Sequence, residues 1–408
     1  MIQKVGARQQ PDKHLPTLDS FRALAALAVL FYHVQALLQI PSIASVGFMG
    51  VDVFFVLSGF LLVRPSAKSY FTGDKPPSLR QFYTNRVRRI MPLYYFSIAV
   101  VLLMQRTDLL SFSAGQSSVL TFLAFVQNMF PHYGSPVNGV LWSLGVEMQF
   151  YLLLPALAWF LLRPKTRFIA IIVVLLVAGV WRLASVSISQ MMYPKATPET
   201  VITYSQLINS EFLPGRIDQL VIGILAGIVL VYLEHRSADK PLPTRFLSFS
   251  MYIAAIVVVL NIFWLYIDGD HIWQSQYLIF YLLRPLFAAS IGVLFVTSCI
   301  LPARFTGLLR LNVFNFLASI SYGIYIWHLL FLRNFISARF FETLPKDTKF
   351  IAMLILLVTV VIIWSTITYV AIERPFLRTR VSEVRPDVWT PVSSHHERGS
   401  PQSMKTNY

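Results

Sequence analysis

Apolar runs of about 20 residues, the length an α-helix needs to cross a hydrocarbon core roughly 30 Å thick, recur along this chain. They fall near 18–40, 46–63, 90–104, 140–162, 168–189, 212–233, 246–267, 277–301, 312–332 and 350–372, with a shorter one at 119–130. Inside a bilayer every backbone N–H and C=O has to be paired without water, so only helices and closed barrels span. The short alternating segments of a barrel are missing from the sequence, and the spans are read as helices. Composition agrees: of 408 residues, 56% are hydrophobic and 13% charged, well outside the soluble range.

Charge sets the topology. If 119–130 does not span and the N-terminus is cytoplasmic, the cytoplasmic segments hold 24 Lys and Arg against 6 outside. If it does span, the count becomes 15 to 15 and the inside bias vanishes. The sequence therefore predicts an all-α polytopic membrane protein with ten transmembrane helices plus one short non-spanning helix around a central cavity, both termini cytoplasmic. Residues 1–17 form a cytoplasmic N-terminal segment, 18–380 the membrane domain, and 381–408, rich in Ser, Pro and charge, a disordered cytoplasmic tail. Segments 64–89, 105–139 and 190–214 read as the longer linkers. Lys4, Arg8 and Lys13 precede a run too long for a cleaved signal core, so the first helix is expected to stay.

The net charge of +15 raises nucleic acid as a partner, but no polar domain interleaves basic and aromatic residues, and membrane lipids are the expected contact. The single cysteine, Cys299, excludes an internal disulfide. No metal-ligand spacing is present.

Ionisable groups inside a membrane are costly and each one raises a functional question. In "LDSFRALAALAVLFYHV", Arg22 and His33 are eleven positions apart. That returns them to one helix face about 16 Å apart along the axis. Counting 1.5 Å per residue from the outer end of each run places His33, Asp52 and Glu147, on three different helices, about 9–10 Å deep. Ser143 sits one turn above Glu147, next to Trp142; Arg284 reaches nearly the same level, and Arg216 and Asp218 lie slightly nearer the outer face. "SISYGIYIWH" adds Tyr322, Tyr325 and, towards its outer end, His328. Taken singly, Asp52, Arg284 and Asp218 also fit buried ion pairs that fix helix packing, and His33 a packing histidine. Their common depth favours chemistry. A carboxylate beside an imidazole holds its tautomer, as a general base requires, and His33 with Glu147 is the expected pair.

On the cytoplasmic side, Arg86 and Arg89 of "NRVRR" are three apart and share a face. They are open to two readings, anionic lipid headgroups or phosphates held by guanidinium forks.

These segments, in this order, resemble the membrane-bound acyltransferase family 3, which includes bacterial O-acetyltransferases of lipopolysaccharide O-antigen, Nod factors, peptidoglycan and macrolides. The resemblance rests on the R-x10-H of the first helix, "GVDVFFVLSGFLL", the R-x-x-R of "NRVRR", "LWSLGVEMQFYLLLP", "GRIDQLVIGILAG", "SYGIYIWH" and "IERPF", over residues 17 to 376. Where the family pattern has a second acidic residue after Glu147, this chain has Met148. The resemblance implies a multi-pass protein of the bacterial inner membrane, acetyl-CoA or another acyl-CoA as cytoplasmic donor, and a carbohydrate or similar hydroxyl as acceptor. It makes His33 the essential histidine, Arg22 the arginine of the same motif, Arg86 and Arg89 the donor-handling pair, and Glu147 the motif glutamate.

The expected mechanism is direct transfer, with His33, oriented by Glu147 or Asp52, taking the acceptor's proton. Trp142, Ser143, Tyr322 and Arg284 are the oxyanion candidates; Arg216, Asp218 and His328 complete the acceptor-side candidates. Many relatives carry a C-terminal periplasmic domain that completes transfer to a distant polymer. None is read in this sequence, so a lipid-linked or small acceptor that enters the membrane cavity, or a separate periplasmic partner, is expected. The rival reading is a proton-coupled transporter or flippase, and a covalent product formed only with donor separates the two.

Overall fold

The computed structural model describes residues 15–40, 42–106, 109, 115–130, 137–237, 240–267, 282–336 and 344–377. The expected tail, 381–408, and most of the expected N-terminal segment lie outside them. Among the described residues no strand occurs. The helices are α1 (Pro16–Leu38), α2 (Met49–Thr72), α3 (Leu79–Met104), α4 (Gly115–Leu123), α5 (Trp142–Leu162), α6 (Pro164–Met192), α7 (Pro198–Glu211), α8 (Leu213–Arg236), α9 (Thr244–Ile267), α10 (Arg284–Ile300), α11 (Asn312–Ile336) and α12 (Lys346–Thr368). Proline opens α1, α6, α7, α8 and α10, where its missing N–H has no partner to lose. Nine helical stretches among the described residues are long and apolar enough to cross a membrane, and α10, with 17 described residues, is shorter. This is an all-α polytopic membrane protein.

Two expected linkers turn out to be largely helical. α2 runs on to Thr72 and α3 begins at Leu79, so most of 64–89 belongs to them, and α7 fills the middle of 190–214. An apolar window marks the extent of hydrocarbon, whereas a nucleated helix propagates at little cost through Lys, Arg, Gln and Ala beyond it. Arg86 and Arg89 therefore stand on a continuous helix that leads into the bundle.

The short fourth run is non-spanning as expected: α4 has nine residues and a 3₁₀ turn follows at Gln127–Met129. The hydroxyls of Tyr94 and Tyr95 donate to the carbonyls of Phe122 and Leu123 at 2.7 and 3.0 Å, which ties the end of α4 to α3. Gln127 Nε2 donates to Leu141 O at 2.7 Å and anchors the turn to the start of α5.

At the centre, α2 crosses α8 at backbone distance. A Cβ on Gly223 would lie 2.1 Å from Val56 O, one on Gly59 2.1 Å from Leu220 O, and one on Gly227 2.5 Å from Phe60 O. Small residues one turn apart permit this approach in membranes, where packing rather than hydrophobic exclusion holds helices together. Gly223→Ala is expected to force the pair apart and lower stability by about 1–3 kcal/mol, read as a lower thermal unfolding temperature in detergent. An unchanged temperature would contradict the close crossing. Around this pair, α1 packs on α2 and α11, α5 on α2 and α8, and α12 on α11.

Candidate active site

One cavity gathers residues from five helices. Arg22 enters from α1, Arg86 and Arg89 from α3, Glu147 and Tyr151 from α5, Ser58 from α2 and Tyr322 from α11. Arg22 also pairs with Asp19 at 3.2 Å. Glu147 Oε1 accepts hydrogen bonds from Ser58 Oγ, at 2.6 Å, and from the Tyr151 hydroxyl one helical turn on. The Tyr322 hydroxyl donates to Ile90 O at 2.9 Å. The lining carries three guanidiniums and one carboxylate, with Asp19 paired to Arg22 from outside it, and guanidinium geometry suits phosphate oxygens.

Tyr325 and Phe54, with ring centroids 5.9 Å apart, form another part of the cavity wall. The Tyr325 hydroxyl lies 2.7 Å from Ser143 Oγ and donates to Val140 O at 3.1 Å. Its ring is 6.0 Å from that of His328. Behind this wall stand two histidines. His33 and His328 are joined Nδ1 to Nε2 at 3.1 Å. His33 Nδ1 also lies 2.9 Å from Val29 O, and His328 Nδ1 3.0 Å from Ile324 O, each carbonyl one turn earlier in its own helix. His328 is fully enclosed, whereas His33 is only partly buried.

A third group of buried charges comprises Arg216, Asp52, Arg182, Asp218 and Arg284. Arg216 Nη1 donates to Asp52 Oδ1 at 2.8 Å and its Nε to Ser210 O at 2.8 Å. Its guanidinium lies over Phe55 and Trp142 at 5.6 and 5.7 Å. Arg182 Nη2 reaches both Asp218 oxygens at 3.0 and 2.8 Å. Arg284 sits over the Phe48 ring at 5.3 Å.

Against this geometry the comparisons with known proteins are unambiguous about kinship. The acyltransferase domain family matches residues 15–370. The chain belongs to this acyltransferase family. Among its relatives are the peptidoglycan O-acetyltransferase OatA of Listeria monocytogenes, 28% identical over 336 residues, which cover 78% of this chain and 49% of that protein. The O-acetyltransferase OatA of Staphylococcus aureus is 28% identical over 335 residues, 78% of this chain and 50% of the relative. YrhL of Bacillus subtilis is 27% identical over 340 residues, 79% and 49%. The chain spans about half the length of these relatives. No solved structure matches it.

The acyltransferase fold brings the three arginines into one cavity but does not form the expected pair of His33 with Glu147. Glu147 joins the arginines and is held by Ser58 and Tyr151, and Asp52 is occupied by Arg216, so neither carboxylate orients His33. Depth along a helix says nothing about its lateral neighbour. The His33 helix packs on α11, which presents His328, while α5 packs on α2, which presents Ser58. Asp218 and Arg216 stand in buried ion pairs, Trp142 and Phe55 flank Arg216, and Ser143 joins Tyr325 on the cavity wall. Tyr151 was recoverable as the i+4 neighbour of Glu147; Ser58 lies within a motif but carried no signal of its own. Glu373 was also missed. It ends a π-helical segment, Tyr369–Glu373, that follows α12, is buried, and lies close enough to Arg89 to interact electrostatically. Groups of three or more metal-ligating side chains do not occur among the described residues.

Proposed function

We propose that this chain is a membrane O-acyltransferase that moves an acyl group, acetyl above all, from cytoplasmic acyl-CoA to a hydroxyl of a glycan. An acceptor of the peptidoglycan type named for its relatives is the first candidate, lipid-linked or otherwise small enough to reach the membrane cavity. The setting is the bacterial plasma membrane with both termini cytoplasmic. The observation that carries the reading is the cavity in which Arg22, Arg86 and Arg89 converge, with His33 eleven residues further along the helix of Arg22. Donor phosphates bind the arginines, and the flexible arm of the donor extends past Phe54 and Tyr325 towards the histidines.

In the reaction His33 Nε2 takes the acceptor's hydroxyl proton as the oxygen attacks the thioester carbonyl carbon. The tetrahedral oxyanion collapses, the C–S bond breaks, and the CoA thiolate leaves with the proton returned from His33. The products are the ester and free CoA, with no net proton change.

The test reconstitutes the protein in lipid with isotope-labelled acetyl-CoA and a panel of lipid-linked glycans, and looks for acylated product by mass spectrometry. Arg89→Gln is expected to raise the donor KM at least about tenfold, since one charge-assisted hydrogen bond is worth roughly 1.5–3 kcal/mol, with kcat far less affected. Glycan accumulation in vesicles without any acylated product would sink the reading in favour of transport.

A further inference from the structure

The two histidines fix each other's hydrogen-bond roles. A carbonyl oxygen only accepts, so the contact of His33 Nδ1 with Val29 O, 2.9 Å, requires a proton on His33 Nδ1. The contact of His328 Nδ1 with Ile324 O, 3.0 Å, likewise requires a proton on His328 Nδ1. A second proton on His328 Nε2 would then face the Nδ1–H of His33 across 3.1 Å, so His328 Nε2 accepts. In neutral His33 the lone pair is consequently on Nε2. That atom has no hydrogen-bond partner among the described residues and is not one of the enclosed polar atoms.

We propose that His328 is the positioning residue of this site. By accepting the Nδ1–H of His33 it holds the ring in the tautomer and orientation that leave Nε2 open as the base. The inference rests on the acyl-transfer reading for its chemical consequence, though not for its geometry. Val29 O shares that proton at 2.9 Å from within the same helix, whereas His328 Nε2, at 3.1 Å, accepts it from α11 and so ties the ring to a second helix. The usual orienter of a catalytic imidazole is a carboxylate, and the two carboxylates that share the depth of His33 are engaged elsewhere, Asp52 by Arg216 and Glu147 by Ser58 and Tyr151. A neutral acceptor does a distinct job. It fixes the tautomer without pairing the imidazolium with an anion, so the proton taken from the acceptor is free to pass to the departing thiolate.

The test is nitrogen-15 NMR of the histidine-labelled full chain in detergent, with His33→Gln identifying the His33 signals among the eight histidines. The expected parent spectrum shows His33 protonated on Nδ1 and bare on Nε2. His328→Gln, whose amide oxygen can occupy the accepting position, is expected to keep that pattern and kcat within about threefold. His328→Leu is expected to add the other tautomer and lower kcat at least about tenfold, with the affinity for coenzyme A itself unchanged. A parent His33 protonated on Nε2 overturns the assignment whatever the variants do. So does a folded His328→Leu with parental kcat, or a His328→Gln as impaired as His328→Leu. The expected tautomer pattern in a protein that never acylates a glycan would support the positioning assignment and overturn the acyl-transfer reading, so the two fail separately.

Discussion

Replacing His33 with glutamine is expected to lower kcat by roughly 10²–10⁴-fold, the range a positioned general base supplies, while the protein inserts and accumulates at parental level. Glutamine retains bulk and an amide that can still meet Val29 O or His328, so helix packing has little reason to change. What it lacks is a basic lone pair at the position of Nε2. Without a base, the attacking hydroxyl has to lose its proton after forming a zwitterionic tetrahedral intermediate, with an oxonium beside the oxyanion, which raises the barrier at the step where charge develops. Coenzyme A affinity is expected to be unaltered because the arginines that line the cavity are borne elsewhere, Arg22 about 16 Å down the same helix and Arg86 and Arg89 on α3. The measurement is single-turnover transfer from labelled acetyl-CoA together with coenzyme A binding on the same preparation. Transfer within about threefold of the parent would remove His33 from the chemistry. Loss of binding along with turnover would show instead that the substitution disturbs the donor cavity.

The contrast between the arginines and the carboxylates shows what a sequence with helical periodicity reveals. Spans, their order and the non-spanning α4 follow from runs of apolar residues and from the placement of Lys and Arg, because hydrocarbon thickness and backbone pairing leave few alternatives. Arg86 and Arg89 share a cavity because three residues along a helix share a face, a purely local rule. His33, Asp52 and Glu147 are matched by depth, and depth is likewise a local measure. Which partner each one meets depends on which helices pack, and that is set at places such as the Gly59, Gly223 and Gly227 crossing, where no polar residue marks the contact. His328 illustrates the same limit. Its position in the C-terminal half of α11 was legible, but its bond to His33 required knowing that α1 lies against α11. Apolar windows also understate helix length, since α2 and α3 continue well beyond theirs through polar sequence.

Asp52 separates a structural ion pair from a catalytic carboxylate, and the expected result is a fall in stability far larger than any direct effect on the chemistry. Asp52 has no exposed surface and Arg216 is nearly as enclosed, and they meet at 2.8 Å. Asp52→Leu leaves the guanidinium buried beside Arg182 and Arg284 with its carboxylate gone, and breaking such a pair from one side costs roughly 3–5 kcal/mol. Removing both charges with Asp52→Leu and Arg216→Met is expected to recover most of that loss, because the penalty lies in the uncompensated charge and not in the missing bond. The measurement is thermal unfolding of both variants in detergent, paired with acyl transfer on whatever fraction remains folded. A double variant that unfolds like the parent and still transfers acyl groups fits a carboxylate that serves packing. If Asp52→Leu unfolds at the parental temperature yet transfers nothing, the carboxylate serves the reaction, and the assignment of His33's orienter to His328 alone has to be given up.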